Sequence, residues 1–312
     1  MGPAVERDDV ARAAERLAGR VRRTPVIEVA PEDLNTTGRV GLKLELLQHS
    51  GTFKARGALS ALLHGPIPDA GVLVASGGNH GAAVAWAARR LGHRATVFVP
   101  DVVAPAKVAR LRAYGAEVTV VPGVYADALS AAELFGRRQS ALSVHAYDDP
   151  IVVAGAGTVG LELSEQLPDV DTVVVACGGG GLAAGLAAWF GPAVSLVLAE
   201  TEGTATYAGA LAAGGPVPIP VSGLAADALG ATQLGTIAWD LLSNVGAASV
   251  VVADDDVRSV QRLLWDRFRL VAEPAAATAV AALTSGRYRP SPDERVAVVL
   301  CGANTDPGSV AS

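Results

Sequence analysis

Apolar positions along this 312-residue chain fall into two periods. Short runs rich in Val, Leu and Ala at 72–75, 95–99, 118–121, 172–176, 194–199 and 296–300 read as strands, and 40–46 alternates as one more. Between them, apolar residues recur every three or four positions over 52–63, 81–91, 107–114, 158–166, 182–190, 257–268 and 275–283, which predicts helices. Asp8 and Asp9 ahead of Val10, Ala13, Ala14 and Leu17 mark a capped amphipathic helix near the N-terminus. Alternation of buried strands with helices predicts an α/β fold of two open twisted parallel-sheet domains with helices on both faces. The expected division is a large domain from 1–66 and 149–312, with a small α/β domain inserted at 67–148.

Composition narrows the function. The chain is 50% hydrophobic and only 4% aromatic, so its core must be built from Ala, Val and Leu. A net charge of −6 offers no basic footprint for nucleic acid. Cys177 and Cys301 each end an apolar run, as buried reduced thiols do. No signal-peptide pattern and no uninterrupted apolar span appear, so a soluble cytoplasmic protein, without membrane partners, is expected. Glycine is abundant, at 35 residues, and clusters in tight loops where backbone can approach a ligand.

Lysine is scarce: three residues against 22 arginines. One of them, Lys54, stands in Ser50-Gly51-Thr52-Phe53-Lys54-Ala55-Arg56-Gly57-Ala58, and only an amine can lose its proton and form a Schiff base. Downstream, Gly178, Gly179, Gly180 and Gly181 with Leu182 follow the strand at 172–176 and open a helix. Backbone N–H groups can converge there on an anion, aided by the helix N-terminus. The run is neither the dinucleotide fingerprint nor a P-loop, so a single phosphate suits it best, a purely structural turn being the alternative. A second turn, Ser76-Gly77-Gly78-Asn79-His80-Gly81, offers free N–H groups and an amide to a carboxylate or a polar ring substituent, although His80 would serve equally as a helix-start residue.

These segments, with Leu300-Cys301-Gly302-Ala303-Asn304, stand in the order found in fold-type II pyridoxal-phosphate enzymes, and the chain resembles their serine/threonine dehydratase and serine racemase branch. Arg23-Thr24-Pro25, Lys43-Leu44-Glu45, Ala154-Gly155-Ala156-Gly157-Thr158 and Ala272-Glu273-Pro274 support the likeness, which runs from about Arg22 to Asn304. It implies that Lys54 carries pyridoxal 5'-phosphate as a Schiff base, with Phe53 beside the ring. It places Asn79 on the cofactor's phenolic oxygen, residues 178–182 on its phosphate and Cys301 at its pyridine nitrogen. Ser76, Gly77, Asn79 and His80 would receive the amino-acid substrate. Glu273 is either near the Cys301 side of the ring or a helix-N-terminal carboxylate.

Two departures refine the resemblance. Racemases of this branch carry a second serine where this chain has Gly77, which has no proton to give. Metal-dependent members carry an Asp where Thr206 ends the run from Glu200, so no metal is expected. The implied reaction is deamination of L-serine, L-threonine or a related β-hydroxy amino acid to a 2-oxo acid and ammonia. An amino-acid racemase, a β-replacement synthase and a catalytically silent pyridoxal-phosphate-binding protein are the alternatives. A homodimer is the expected assembly.

Overall fold

The computed structural model describes residues 5–310. Its elements run α1 (Arg7–Leu17), β1 (Val26–Val29), β2 (Arg39–Lys43), α2 (Lys54–His64), β3 (Val72–Ala75), α3 (Asn79–Leu91), β4 (Ala95–Pro100), α4 (Pro105–Ala113), β5 (Glu117–Val121), α5 (Tyr125–Gln139) and β6 (Leu142–Ser143). They continue through α6 (Pro150–Gln166), β7 (Thr172–Ala176), α7 (Gly181–Phe190), β8 (Ser195–Thr201), α8 (Thr206–Ala213), α9 (Thr236–Asn244), β9 (Ala248–Val252), α10 (Asp254–Phe268), α11 (Pro274–Thr284), β10 (Arg295–Val299) and α12 (Pro307–Val310).

Two sheets result. One has the order β1-β2-β10-β7-β8-β9, parallel except for the antiparallel edge pair β1–β2. The other, β5-β4-β3-β6, is wholly parallel and lies within residues 72–143. Helix α11 is buried at every position from Ala275 to Leu283, as befits a helix apolar on all sides. The second sheet has an asymmetric cover. Val72, Val74, Val97 and Val99 share one core with α2 and α3, while Leu73 and Phe98 on the other face meet only Ala128, Ala132 and their neighbours around α5.

Three differences from the sequence pattern have physical causes. The alternation over 40–46 ends as strand at Lys43, because Glu45–Leu47 turns into a short 3₁₀ segment that brings Glu45 inward. Helix α6 begins at Pro150 rather than 158, with Asp149 Oδ1 accepting from the Ile151 and Val152 amides. The Ala-Gly-Ala-Gly run ahead of residue 158 is helix, its glycines serving close packing. A Cβ on Gly157 would lie 2.7 Å from the Gly185 carbonyl oxygen of α7. Helix α5 lacks a sharp apolar stripe in sequence, having only Ala128 and Ala132 fully buried.

Candidate active site

The strand-to-helix junctions of both sheets meet at one cavity. Phe53, Lys54, Asn79, Gly178, Gly179, Gly180, Gly181, Leu182 and Cys301 all line it, together with Tyr147, Ala228, Leu229 and Glu273. Ser76 and Gly77 are not among the lining residues; they lead into α3, and a Cβ on Gly77 would press within 2.8 Å of Val103 Cγ2.

Lys54 opens α2, two residues beyond a strand-like bridge between Thr52 and Gly302 and directly after a bond from the Phe53 amide to the Cys301 carbonyl (3.0 Å). Its Nζ donates to the Ala146 carbonyl oxygen at 2.7 Å and lies 5.1 Å from the Phe53 ring centroid. Burial lowers its pKa to about 8, with the Glu273 carboxylate pulling the other way. The amine is therefore substantially neutral at mildly alkaline pH.

What holds that first turn in place is a buried ion network on α2 itself. Arg56 reaches Glu45 with Nε at 2.8 Å and Nη2 at 2.7 Å, and Glu162 with Nη1 at 2.8 Å. Lys43 donates to Glu162 (2.6 Å), the Thr24 carbonyl (2.8 Å) and Gln166 Oε1 (2.8 Å). Thr24 Oγ1 donates to Glu45 at 2.5 Å. Two cations face two carboxylates with the remaining bonds satisfied, the condition under which buried charge is tolerated. The motifs around Thr24, Lys43 and Arg56, scattered in sequence, are thus one structural unit behind Lys54.

The glycine turn joins β7 to α7 and uses φ = +83° at Gly180, open to glycine without strain. Its backbone N–H groups from Gly178 to Leu182 find no acceptor within the described residues, so the turn presents unpaired donors at a helix N-terminus. Such donors fit a phosphate. The glycines have a second reason too: the Tyr147 ring packs on the turn, and a Cβ on Gly179 would fall 2.4 Å from it. Tyr147 was not legible as a site residue; the neighbouring Asp148 fixes it by accepting from the Thr236 and Ile237 amides at the start of α9.

Asn79, first residue of α3, donates from Nδ2 to both oxygens of Glu273 (2.8 and 3.0 Å), while its Oδ1 accepts from Asn304 Nδ2 (2.7 Å). Glu273 also accepts from the Asn304 amide at 3.1 Å. This carboxylate is only 3% exposed, and burial raises its pKa. It lines the cavity beside Cys301 and stands at the N-cap position of α11, though its carboxylate bonds Asn79 and Asn304 rather than the helix's own amides. Cys301 and Cys177 are free and buried, and burial pushes the Cys301 thiol well up, leaving it a neutral S–H. His80 gives its Nε2 to the Val144 carbonyl at 2.9 Å, and burial lowers its pKa to about 3, so it is uncharged.

Glu200 is satisfied without a cation: it accepts from the Tyr207 amide (2.7 Å), the Ala208 amide (2.9 Å), Ser249 (3.2 Å) and Thr206 Oγ1 (3.3 Å). Thr206 Oγ1 also donates to the Gly178 carbonyl at 2.5 Å, tying the glycine turn to β8. At the cleft mouth Lys107 of α4 pairs with Asp227, joining the two sides. No helix among the described residues is long and apolar enough to cross a membrane.

Comparison with known proteins agrees with this geometry. Residues 17–302 match the family model described as "Pyridoxal-phosphate dependent enzyme". The phenylserine dehydratase of Ralstonia pickettii is 38% identical over 303 residues, covering 95% of this chain and 92% of that protein. Among solved structures, maize serine racemase superposes with a TM-score of 0.93 at 28% identity, covering 99% of this chain and 96% of that one. The T.th. threonine deaminase does so with 0.90 at 34% identity, covering 97% and 99%. With its family match spanning most of the chain, its buried lysine and its unpaired glycine-loop donors on one cavity, this protein belongs to the pyridoxal-phosphate-dependent enzymes of fold type II.

Proposed function

We propose that the chain is a deaminating dehydratase that converts a β-hydroxy α-amino acid to a 2-oxo acid and ammonia. The observation that carries this is the convergence of Lys54, the glycine turn, Asn79 and a neutral Cys301 on one cavity. In this reading Lys54 holds the cofactor, Gly178–Leu182 bind its phosphate through their N–H groups, Phe53 flanks the ring, Asn79 faces its phenolic oxygen and Cys301 its ring nitrogen. Pyridoxal phosphate, when bound, supplies an aldehyde for amine attachment and a conjugated ring that accepts electrons from a broken Cα–H bond.

The chain's own groups then set the outcome. With its lowered pKa, Lys54 Nζ would serve as the base that takes the Cα proton. The turn at 76–80 would receive the substrate carboxylate on its backbone N–H groups. The Cys301 thiol would not stabilise a ring cation as a carboxylate would, which suits an elimination in which the proton that Lys54 removes from Cα balances the β-hydroxyl leaving as water. The released enamine takes up water and yields oxo acid and ammonia. Gly77 brings no proton donor to the face opposite Lys54, and this disfavours racemisation.

The same reading takes the chain to act in the cytoplasm as a homodimer and to need no divalent ion. It places the small domain at 67–148, a division supported by a four-stranded sheet drawn wholly from 72–143. Related proteins named for phenylserine and threonine frame the substrate range. The test is a panel of β-hydroxy amino acids assayed for oxo acid, with chiral analysis of residual serine at partial conversion. Pyruvate and ammonia with little D-serine are expected; D-serine accumulating as fast as pyruvate would replace this reading with a racemase.

A further inference from the structure

The face of the four-stranded sheet covered only by α5 leaves a hollow beside that helix. It is a half-open cavity of about 580 Å³, inside the roughly 300–1,000 Å³ range of small-molecule pockets. Leu73 and Ala75 of β3 form one wall, and Tyr125, Leu129 and Ala132 of α5 the other. Its inner end is His80, Ala146 and Tyr147. Those three connect it to the reactive centre: the Ala146 carbonyl accepts from Lys54 Nζ, His80 and Ala146 also line the small space around Lys54, and Tyr147 lies on the glycine turn.

The chemistry of the lining selects its occupant. Glu133 and Arg137 stand at the exposed rim and pair with each other at 3.6 Å, while the wall residues of β3 and α5 are uncharged. His80 is engaged with the Val144 carbonyl, and His145 packs edge-on against Tyr147, ring centroids 5.0 Å apart. Tyr125 and Leu129 are 57% and 39% exposed, apolar surface that a ring placed between α5 and β3 would remove from water. A methyl or hydroxymethyl substrate would leave that surface wet.

We propose that this cavity is the side-chain subsite of the enzyme and that it takes an aryl group on the substrate's β-carbon, making 3-arylserines its preferred substrate class. The proposal rests on the dehydratase reading for its reaction, but the subsite itself can be tested without turnover. L-Phenylalanine and L-alanine carry no β-hydroxyl to expel and serve as non-reacting probes. In calorimetric titration of the pyridoxal-phosphate-loaded protein, phenylalanine should bind at least about tenfold more tightly than alanine, a difference of about 1.4 kcal/mol.

Leu129→Asp, at a partly exposed position that tolerates a polar residue, should bring that ratio to within about twofold, and Tyr125→Ala should lower it less. Equal affinities in the unaltered protein, undetectable phenylalanine binding, or a ratio that survives both variants would overturn the subsite. Serine turnover, measured separately, reports on the dehydratase reading: its absence would sink that reading and leave the phenylalanine-to-alanine ratio to decide whether the cavity is a subsite.

Discussion

Lys43 and Lys54 are both enclosed amines, and the fold uses them in opposite ways. Lys43 Nζ donates three hydrogen bonds, one to a carboxylate, in a network whose two cations and two carboxylates balance. Burial lowers its pKa as well, against Glu162 and Glu45, but its protons stay engaged by a carboxylate, a carbonyl and an amide oxygen. Lys54 Nζ has one carbonyl acceptor and no carboxylate in hydrogen-bond contact, and with burial lowering its pKa to about 8 the amine can shed its proton. A buried lysine is therefore reactive or inert according to what satisfies its other two protons. Arg56 links the two cases, since it belongs to the Lys43 network and stands in the first turn of the helix that carries Lys54.

Exchanging each lysine should separate the two roles. Lys54→Ala should cut turnover on the order of 10³-fold or more while leaving the thermal midpoint of the cofactor-free protein nearly unchanged, because proton transfer at Cα is lost and little packing is. Lys43→Met should do the reverse. Removing one member of a buried ion network costs roughly 3–5 kcal/mol, read as a drop in denaturant midpoint, while cofactor stays attached at Lys54. A Lys43 variant that kept full stability but lost its cofactor would dissolve the distinction.

The sequence revealed one half of this contrast more readily than the other. Lys54 was legible because its turn and the four glycines are contiguous motifs whose chemistry follows from residue type. The Lys43 network was visible only as separate motifs, since Thr24, Lys43, Arg56 and Glu162 meet through tertiary packing of β2, α2 and α6. Asn79, Glu273 and Asn304 likewise come from distant turns, and the bonds that join them leave no local signature. The parallel strands were legible from uninterrupted Val and Ala runs. The start of α6 was not, because glycines that admit close helix contact carry no apolar period of their own.

Glu200 is a third buried charge and gives the smallest expected effect. Its carboxylate is held by two amides and two hydroxyls. Chelator treatment should leave turnover within about a factor of two, far from the tenfold that each ~1.4 kcal/mol of lost transition-state stabilisation would bring. A magnesium-reversible collapse of activity would show that an ion, rather than Thr206, completes this corner.

The most direct measurement is borohydride reduction of the pyridoxal-phosphate-loaded protein, followed by peptide mapping of the fixed cofactor. Each of the three lysines has a different environment, so the map reads the contrast residue by residue. The account predicts label on the peptide containing Lys54, none at Lys43 or Lys107, and none in the Lys54→Ala variant. Label at Lys43, or covalent cofactor persisting without Lys54, would contradict it.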